Sequence, residues 1–235
     1  MYAASGIDGQ PEVNRAFEFS EFIFIVAAVR WTLLLSLVAF IGGGVVGIVI
    51  AILRTSQSRA LRWLTIGYVQ LFQGTPVLMQ LFLFYYGFAV LFDLQVDAWP
   101  AVALAFTLYS GAFLGEIWRG SIQAIPRTQW EASACLSLGH FQQLRYVILP
   151  QAMRISIPPT VGFLVQLIKG TSVAAIIGFV ELTRAGQLMV NVTFQPMIIY
   201  PIVAALYFVI CWPLSLLART LERRIDADLG VKRHF

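Results

Sequence analysis

Charged side chains are scarce in this sequence, at 12% of 235 residues, where soluble globular domains carry about 25%. Histidine and cysteine are scarcer still, with two of each. Cys135 sits in a polar stretch and Cys211 in an apolar one, so nothing pairs them, and neither they nor His140 and His234 show metal-ligand spacing. A disulfide scaffold and a metal centre are both excluded. No G-x-x-x-x-G-K-[ST] loop occurs, which leaves the chain without a recognisable nucleotide site of its own. Clustered acids, a nucleophile with its base and paired aspartates are also missing, so an intramembrane enzyme has nothing to work with and the chain reads as having no catalytic residues. No fixed-period repeat or long linker appears. The opening stretch MYAASGIDGQPEVNRAFEFSE sets Asp8, Glu12, Glu18 and Glu21 against Arg15 alone, the opposite of a basic signal leader, and the first apolar run is expected to remain as a membrane helix.

What is abundant is apolar surface: 59% hydrophobic residues and a mean hydropathy of +0.78. Such a chain belongs in a bilayer, where a spanning helix needs roughly 20 apolar residues. The expected fold is a single all-α integral membrane domain with about five transmembrane helices, drawn from apolar segments at 22–53, 63–92, 98–118, 155–180 and 196–218. A net charge of +4 would suggest nucleic acid in a soluble protein, but here the positions matter more than the sum. Arg54, Arg59 and Arg62 follow the first segment; Arg119, Arg127, Arg145 and Arg154 follow the third; Arg219, Arg223, Arg224, Lys232 and Arg233 follow the fifth. Asp93, Asp97 and the acidic N-terminus mark the other face. By the positive-inside rule the N-terminus is outside and the C-terminus cytoplasmic. This divides the chain into an external segment 1–21, a transmembrane domain 22–225 and a cytoplasmic tail 226–235, in a multi-pass membrane protein.

Between the third and fourth segments lies a polar insert, about 120–154. Thr128 and Glu131 form a T-x-x-E capping box that predicts a helix start near Gln129. Gly139 offers a stop, and a second helical turn carrying Phe141, Leu144, Val147 and Ile148 is expected to end at Pro150. The pattern alone fits equally a helix-turn-helix projecting into the cytoplasm and an interfacial helix lying on headgroups. Within the spans, Gly43 and Gly47 four apart suit close helix packing. Pro76, Pro158, Pro159, Pro196 and Pro201 remove donors that lipid does not replace, so breaks there are expected to face protein or water. Trp63, Trp99, Trp118 and Trp212 read as interfacial anchors.

Ionised groups at bilayer depth are costly and face protein or water. The set is Arg30, Glu116, Arg119, Lys169, Glu181 and Arg184. Arg30 can snorkel, and Glu116 with Arg119, like Glu181 with Arg184, has the spacing of a local ion pair. Lys169 has 14 uncharged residues before it from Ile155 and 11 after it to Val180, too deep for easy escape. Pairing with an acid such as Glu116 or Glu181 and lining a path are both open, with Thr171 and Ser172 beside it as hydrogen-bond donors.

The insert resembles the cytoplasmic coupling loop of permease subunits in ATP-binding-cassette importers, which opens on Glu-Ala-Ala, has a glycine six residues after the Glu, and closes on Ile-x-Leu-Pro. Glu131, Ala132 and Ser133 stand at the opening, Ser137 at the glycine position with Gly139 two residues on, and Val147, Leu149 and Pro150 at the close. The segments QGTPVLMQ (73–80), EIWRGSIQAIPRTQWEAS, KGTSV and VEL resemble the polar amino-acid branch of that family, over roughly residues 22–225. Gln73 replaces an arginine there, and Gly170 and Val173 stand where aspartate and leucine are common.

The resemblance implies a permease half that dimerises with itself or a similar chain and works with separate ATPase subunits, which bind the ATP and Mg, and with an external or periplasmic solute-binding protein. The insert then becomes a docking handle for the ATPase. The candidate substrate path takes Gly74, Thr75, Gln80, Glu116, Arg119, Lys169, Thr171 and Ser172, for a polar or charged amino acid. No cofactor is expected on this chain and no nucleic acid among its partners. The alternative is a membrane anchor or scaffold for a cytoplasmic ATPase or enzyme, which would need neither broken helices nor buried charges.

Overall fold

The computed structural model describes residues 17–54, 58–93 and 97–228. Most of the expected external segment and most of the expected tail lie outside the described residues. Every regular element among the described residues is helical, and four of the helical stretches are long and apolar enough to cross a bilayer. A fifth crossing is made if a bent pair counts as one span.

The first helix, α1 (Phe19–Arg54), starts where the Glu21 carboxylate accepts hydrogen bonds from the Glu18 N–H (2.8 Å) and the Ser20 hydroxyl (3.1 Å). It packs along α4 (Ala98–Gln123), and small residues set the spacing. A Cβ added at Gly43 would lie 2.3 Å from Ser110 Cβ; at Gly47, 2.9 Å from the Gly115 backbone nitrogen; at Gly111, 2.5 Å from Val46 Cγ1. Two helices approach this closely only without side chains at the crossing, since in lipid the association rests on packing rather than on a hydrophobic drive. The sequence offered Gly43 and Gly47; their counterparts Gly111 and Gly115 complete the contact.

The apolar segment 63–92 is two helices, α2 (Arg59–Gly74) and α3 (Val77–Phe92), which meet at 103°. Thr75 and Pro76 are both extended there, with ψ of 144° and 134°. Proline disfavours helix in its predecessor, so the α2 ladder ends before it. Pro158 and Pro159 do not act this way: α7 (Leu149–Gly170) runs through both, contrary to the expected break. Neighbouring helices support such prolines inside a bundle, and here Pro158 is buried.

The insert forms α5 (Arg127–Cys135), a short turn α6 (His140–Gln142) and a π-helical turn 143–148 that runs directly into α7. After α7 a 3-10 segment (Thr171–Ile177) ends at Gly178, whose φ of 87° is open to glycine without strain. Two helices follow, α8 (Leu182–Thr193) and α9 (Pro196–Asp228). The expected fourth span 155–180 thus contains a change of helix type near its end. The main core gathers Leu35, Leu81, Phe106, Leu114, Phe163 and Leu167 from α1, α3, α4 and α7. Trp118 belongs to this interior and donates from Nε1 to Thr160 Oγ1 (3.1 Å), so it is not a free interfacial anchor, whereas Trp63 is 72% exposed.

Candidate functional site

The insert departs from its predicted local signals in three ways. First, no capping box forms at Thr128 and Glu131: Pro126, with ψ of 144°, is the residue before the helix, and Thr128 already lies in the first turn. Glu131 is left exposed on the second turn. Secondly, the stop is Ser137, with φ of 60° and its N–H on the Ala134 carbonyl (2.9 Å), rather than Gly139. Gly139 precedes the next helix instead, its N–H bonded to Gln142 Oε1 at 2.9 Å. Thirdly, Pro150 does not close the second helix; it sits in the first turn of α7. The π-helical turn makes this possible, because Leu149 donates to Leu144, a wider step than the α-helical one, and the ladder reaches the proline already shifted. Val147 and Leu149 stand on this junction.

The whole unit packs on its own small core of Ile125, Ile148 and Ala152, with Leu144, Val147 and Trp130 against it. Trp130 stacks on His140 at 5.6 Å, and the buried Ser133 hydroxyl donates to the Trp130 carbonyl. Ala132 is exposed beside Glu131, and Leu136, Phe141 and Tyr146 present apolar surface outward.

The candidate path residues fall into three separate places. At the α2–α3 elbow the Gln80 amide donates to the Phe72 carbonyl (2.9 Å), the Thr75 carbonyl (3.1 Å) and Thr75 Oγ1 (2.9 Å), while Thr75 Oγ1 donates to Leu71. These are carbonyls that the break at Pro76 strips of their ladder partners, so Gln80 closes the elbow, with Gly74 exposed at its outside. Near the end of α1, Glu116 takes a bidentate contact from Arg119 (Nε to Oε2 2.9 Å, Nη2 to Oε1) and lies 3.4 Å from Arg54 Nη2. Arg119 also reaches Gln123. Sequence spacing suggested the Glu116–Arg119 pair; Arg54, from a different helix, had no local signal.

The third place is a groove of about 560 Å³ between the end of α7 and one face of α9. Lys169 and Ser172 form one wall; Phe208, Trp212, Ser215 and Arg219 lie along the other. Lys169 is exposed to it and makes no ion pair with a described residue. Thr171 points elsewhere: it is fully buried, with its hydroxyl on the Ile168 carbonyl. Tyr207, Cys211, Ser215 and Arg219 recur every four residues, a polar stripe on an apolar helix that the sequence displays but that was not expected to carry function.

Behind the groove, Glu181 is fully buried and does not pair with Arg184's guanidinium, contrary to the spacing argument. Its Oε1 accepts the Arg184 N–H (2.8 Å), and its Oε2 accepts the Thr183 N–H (2.9 Å) and the Tyr207 hydroxyl (2.8 Å). It is the N-cap of α8, placed where the helix dipole favours a negative charge. The Arg184 side chain reaches Gln187 instead. Both acids considered as partners for Lys169 are therefore engaged with other groups. Cys135 and Cys211 are both free thiols.

The sequence matches the family model for the binding-protein-dependent transport system inner membrane component over residues 43–227. It is 40% identical over 199 residues to an L-cystine transport system permease protein of Bacillus subtilis, covering 84% of this chain and 85% of that one. It is 33% identical over 202 residues to a glutamine transport system permease protein of Escherichia coli K12, covering 86% and 92%. The fold superposes on the crystal structure of an amino acid ABC transporter with histidines at a TM-score of 0.83 and 31% identity, over 89% of this chain and 99% of that chain. An inward-facing MetNI methionine ABC transporter shares the fold at a TM-score of 0.72 and 18% identity, over the same shares of the two chains. With spans packed through glycine, an elbow braced by Gln80 and a compact polar insert between α4 and α7, the chain belongs to the binding-protein-dependent transport system inner membrane components, the permease subunits of ATP-binding-cassette importers.

Proposed function

We propose that this permease carries a polar amino acid inward by alternating access, as one half of a pair formed with a second copy or a similar chain. A solute-binding protein delivers the substrate from outside, and ATPase subunits holding ATP and Mg dock on the insert from the cytoplasm. The names of the cystine and glutamine relatives favour an amino acid, and membership of this family sets aside a passive anchor. The N-out, C-in orientation follows from the arginines after the first, third and fifth apolar segments. It puts Glu131 and the apolar side chains of Leu136 and Phe141 on the ATPase side. Because the π-helical turn enters α7 with no intervening loop, displacement of the insert is passed to α7 as movement of a rigid element.

The observation that carries the substrate path is Lys169: a cation in an open groove, with Glu116 and Glu181 both committed elsewhere. A substrate carboxylate is the partner that completes it. Lys169→Met should then leave thermal stability within about 2 °C of the native subunit while amino-acid uptake into proteoliposomes falls by at least tenfold. A large stability loss that is rescued by Glu116→Gln or Glu181→Gln would show instead that Lys169 belongs to a structural pair.

A further inference from the structure

The charges around this groove are all of one sign, and that restricts what passes through it. Resting on the reading of the groove as the substrate path, we infer that the permease selects for neutral or acidic amino acids and against cationic ones. Lys169 and Arg219 are the charged side chains on its walls, and neither forms an ion pair with a described residue. Among the described residues no carboxylate lines it. Glu181, an acid behind the wall, is separated from the groove by Tyr207, which lines it and donates its hydroxyl to that carboxylate. Both Glu181 oxygens are taken by the α8 N-terminus and Tyr207, and Glu181 is not on the groove wall, so a cationic side chain in the groove makes no direct ion pair with it.

The rest of the wall matches the same ligands. Lys169 lies within electrostatic reach of Cys211, and Arg219 is eight residues further along the same face of α9, about 12 Å at the rise of an α-helix. The two cations are thus successive stations for a carboxylate, with Ser215 between them, rather than a clamp on one small molecule. Phe208 and Trp212 supply apolar wall for a side chain, with 61% and 52% of their own surface open. Their rings attract a cation by only a few-fold, whereas a like charge held about 6 Å from an ammonium in a partly screened site costs tenfold or more. Repulsion wins.

Because the binding protein imposes its own selectivity, the test uses the permease–ATPase complex without it. In a Cys135→Ser, Cys211→Ser background, Ala204→Cys places a thiol on the exposed groove wall, and its alkylation by a small uncharged reagent is timed with millimolar amino acids. Glutamate and glutamine are expected to slow the reaction about fivefold and arginine and lysine to leave it unchanged. Lys169→Glu should turn protection toward arginine and lysine, and Lys169→Gln, the milder change if the reversal impairs folding, should erase the difference between the two classes. Equal or better protection by arginine with Lys169 in place overturns the charge selectivity while leaving the path in place. Protection by no amino acid in a complex that transports once the binding protein is restored overturns the path itself, and the selectivity with it.

Discussion

Two side chains illustrate how much a single residue decides. Ser137 occupies a left-handed conformation that costs a non-glycine residue roughly 1–2 kcal/mol, at the position where the family's loop carries glycine. Ser137→Gly should raise the thermal stability of the insert by a net of about 0.5 kcal/mol, part of the relief being offset by the added freedom of the unfolded chain. An unchanged or lowered melting temperature would mean that Ser137 is not strained. Glu181 works in the opposite direction. Glu181→Ala strands two N–H groups and the Tyr207 hydroxyl in a fully buried site, for an expected loss of about 2–4 kcal/mol. Glu181→Gln keeps an acceptor at the cap and should lose less than half as much, read as thermal unfolding in detergent. Equal losses in the two variants would rule out the capping role. Neither role was visible in the sequence, where Ser137 was one departure from a motif and Glu181 looked like half of an ion pair; backbone angle and burial decide both.

Elements were more legible than their joints. Long apolar runs place α1, α4 and α9 because length and hydropathy suffice for a span, and the Gly43–Gly47 spacing marks a close contact. The partner stripe Gly111–Gly115 escaped because a helix contact is a property of two distant segments. Proline was the least dependable signal: Pro76 breaks a helix, Pro158 and Pro159 do not, and Pro150 opens one. At Pro76 the break is closed by Gln80, which donates to the freed carbonyls of the elbow. Gln80→Leu should therefore loosen the α2–α3 elbow at a cost of about 1–3 kcal/mol, since it leaves the Phe72 and Thr75 carbonyls without that donor; faster amide hydrogen exchange across residues 70–82 would report it. The glycine contact has an internal control. Gly47→Ala drives a Cβ to 2.9 Å from backbone and should impair folding of the subunit, whereas Gly67 in α2 has nothing within 4 Å of an added Cβ. Gly67→Ala should be neutral or stabilising by up to about 1 kcal/mol, and equal damage from both would refute the α1–α4 crossing.

At the scale of the whole molecule, the parts suit a machine that is driven from one side and loaded from the other. The insert is continuous with α7, α7 ends beside the Lys169 groove, and the far wall of that groove is α9. Glu131 tests the driven end. Because it caps nothing, Glu131→Ala should change stability by less than about 0.5 kcal/mol while weakening ATPase association or uncoupling hydrolysis from uptake. Normal transport by a well-assembled Glu131→Ala complex would point to a membrane-surface role for the insert. The central claim, that this chain ties ATP hydrolysis to the passage of an amino acid, is tested most directly by ATPase activity in proteoliposomes holding the permease with its ATPase subunits. The account predicts that hydrolysis rises several-fold only when the binding protein and its amino acid are both supplied, and that Lys169→Met removes the rise due to the amino acid. Hydrolysis indifferent to binding protein and amino acid in a fully assembled complex would contradict it.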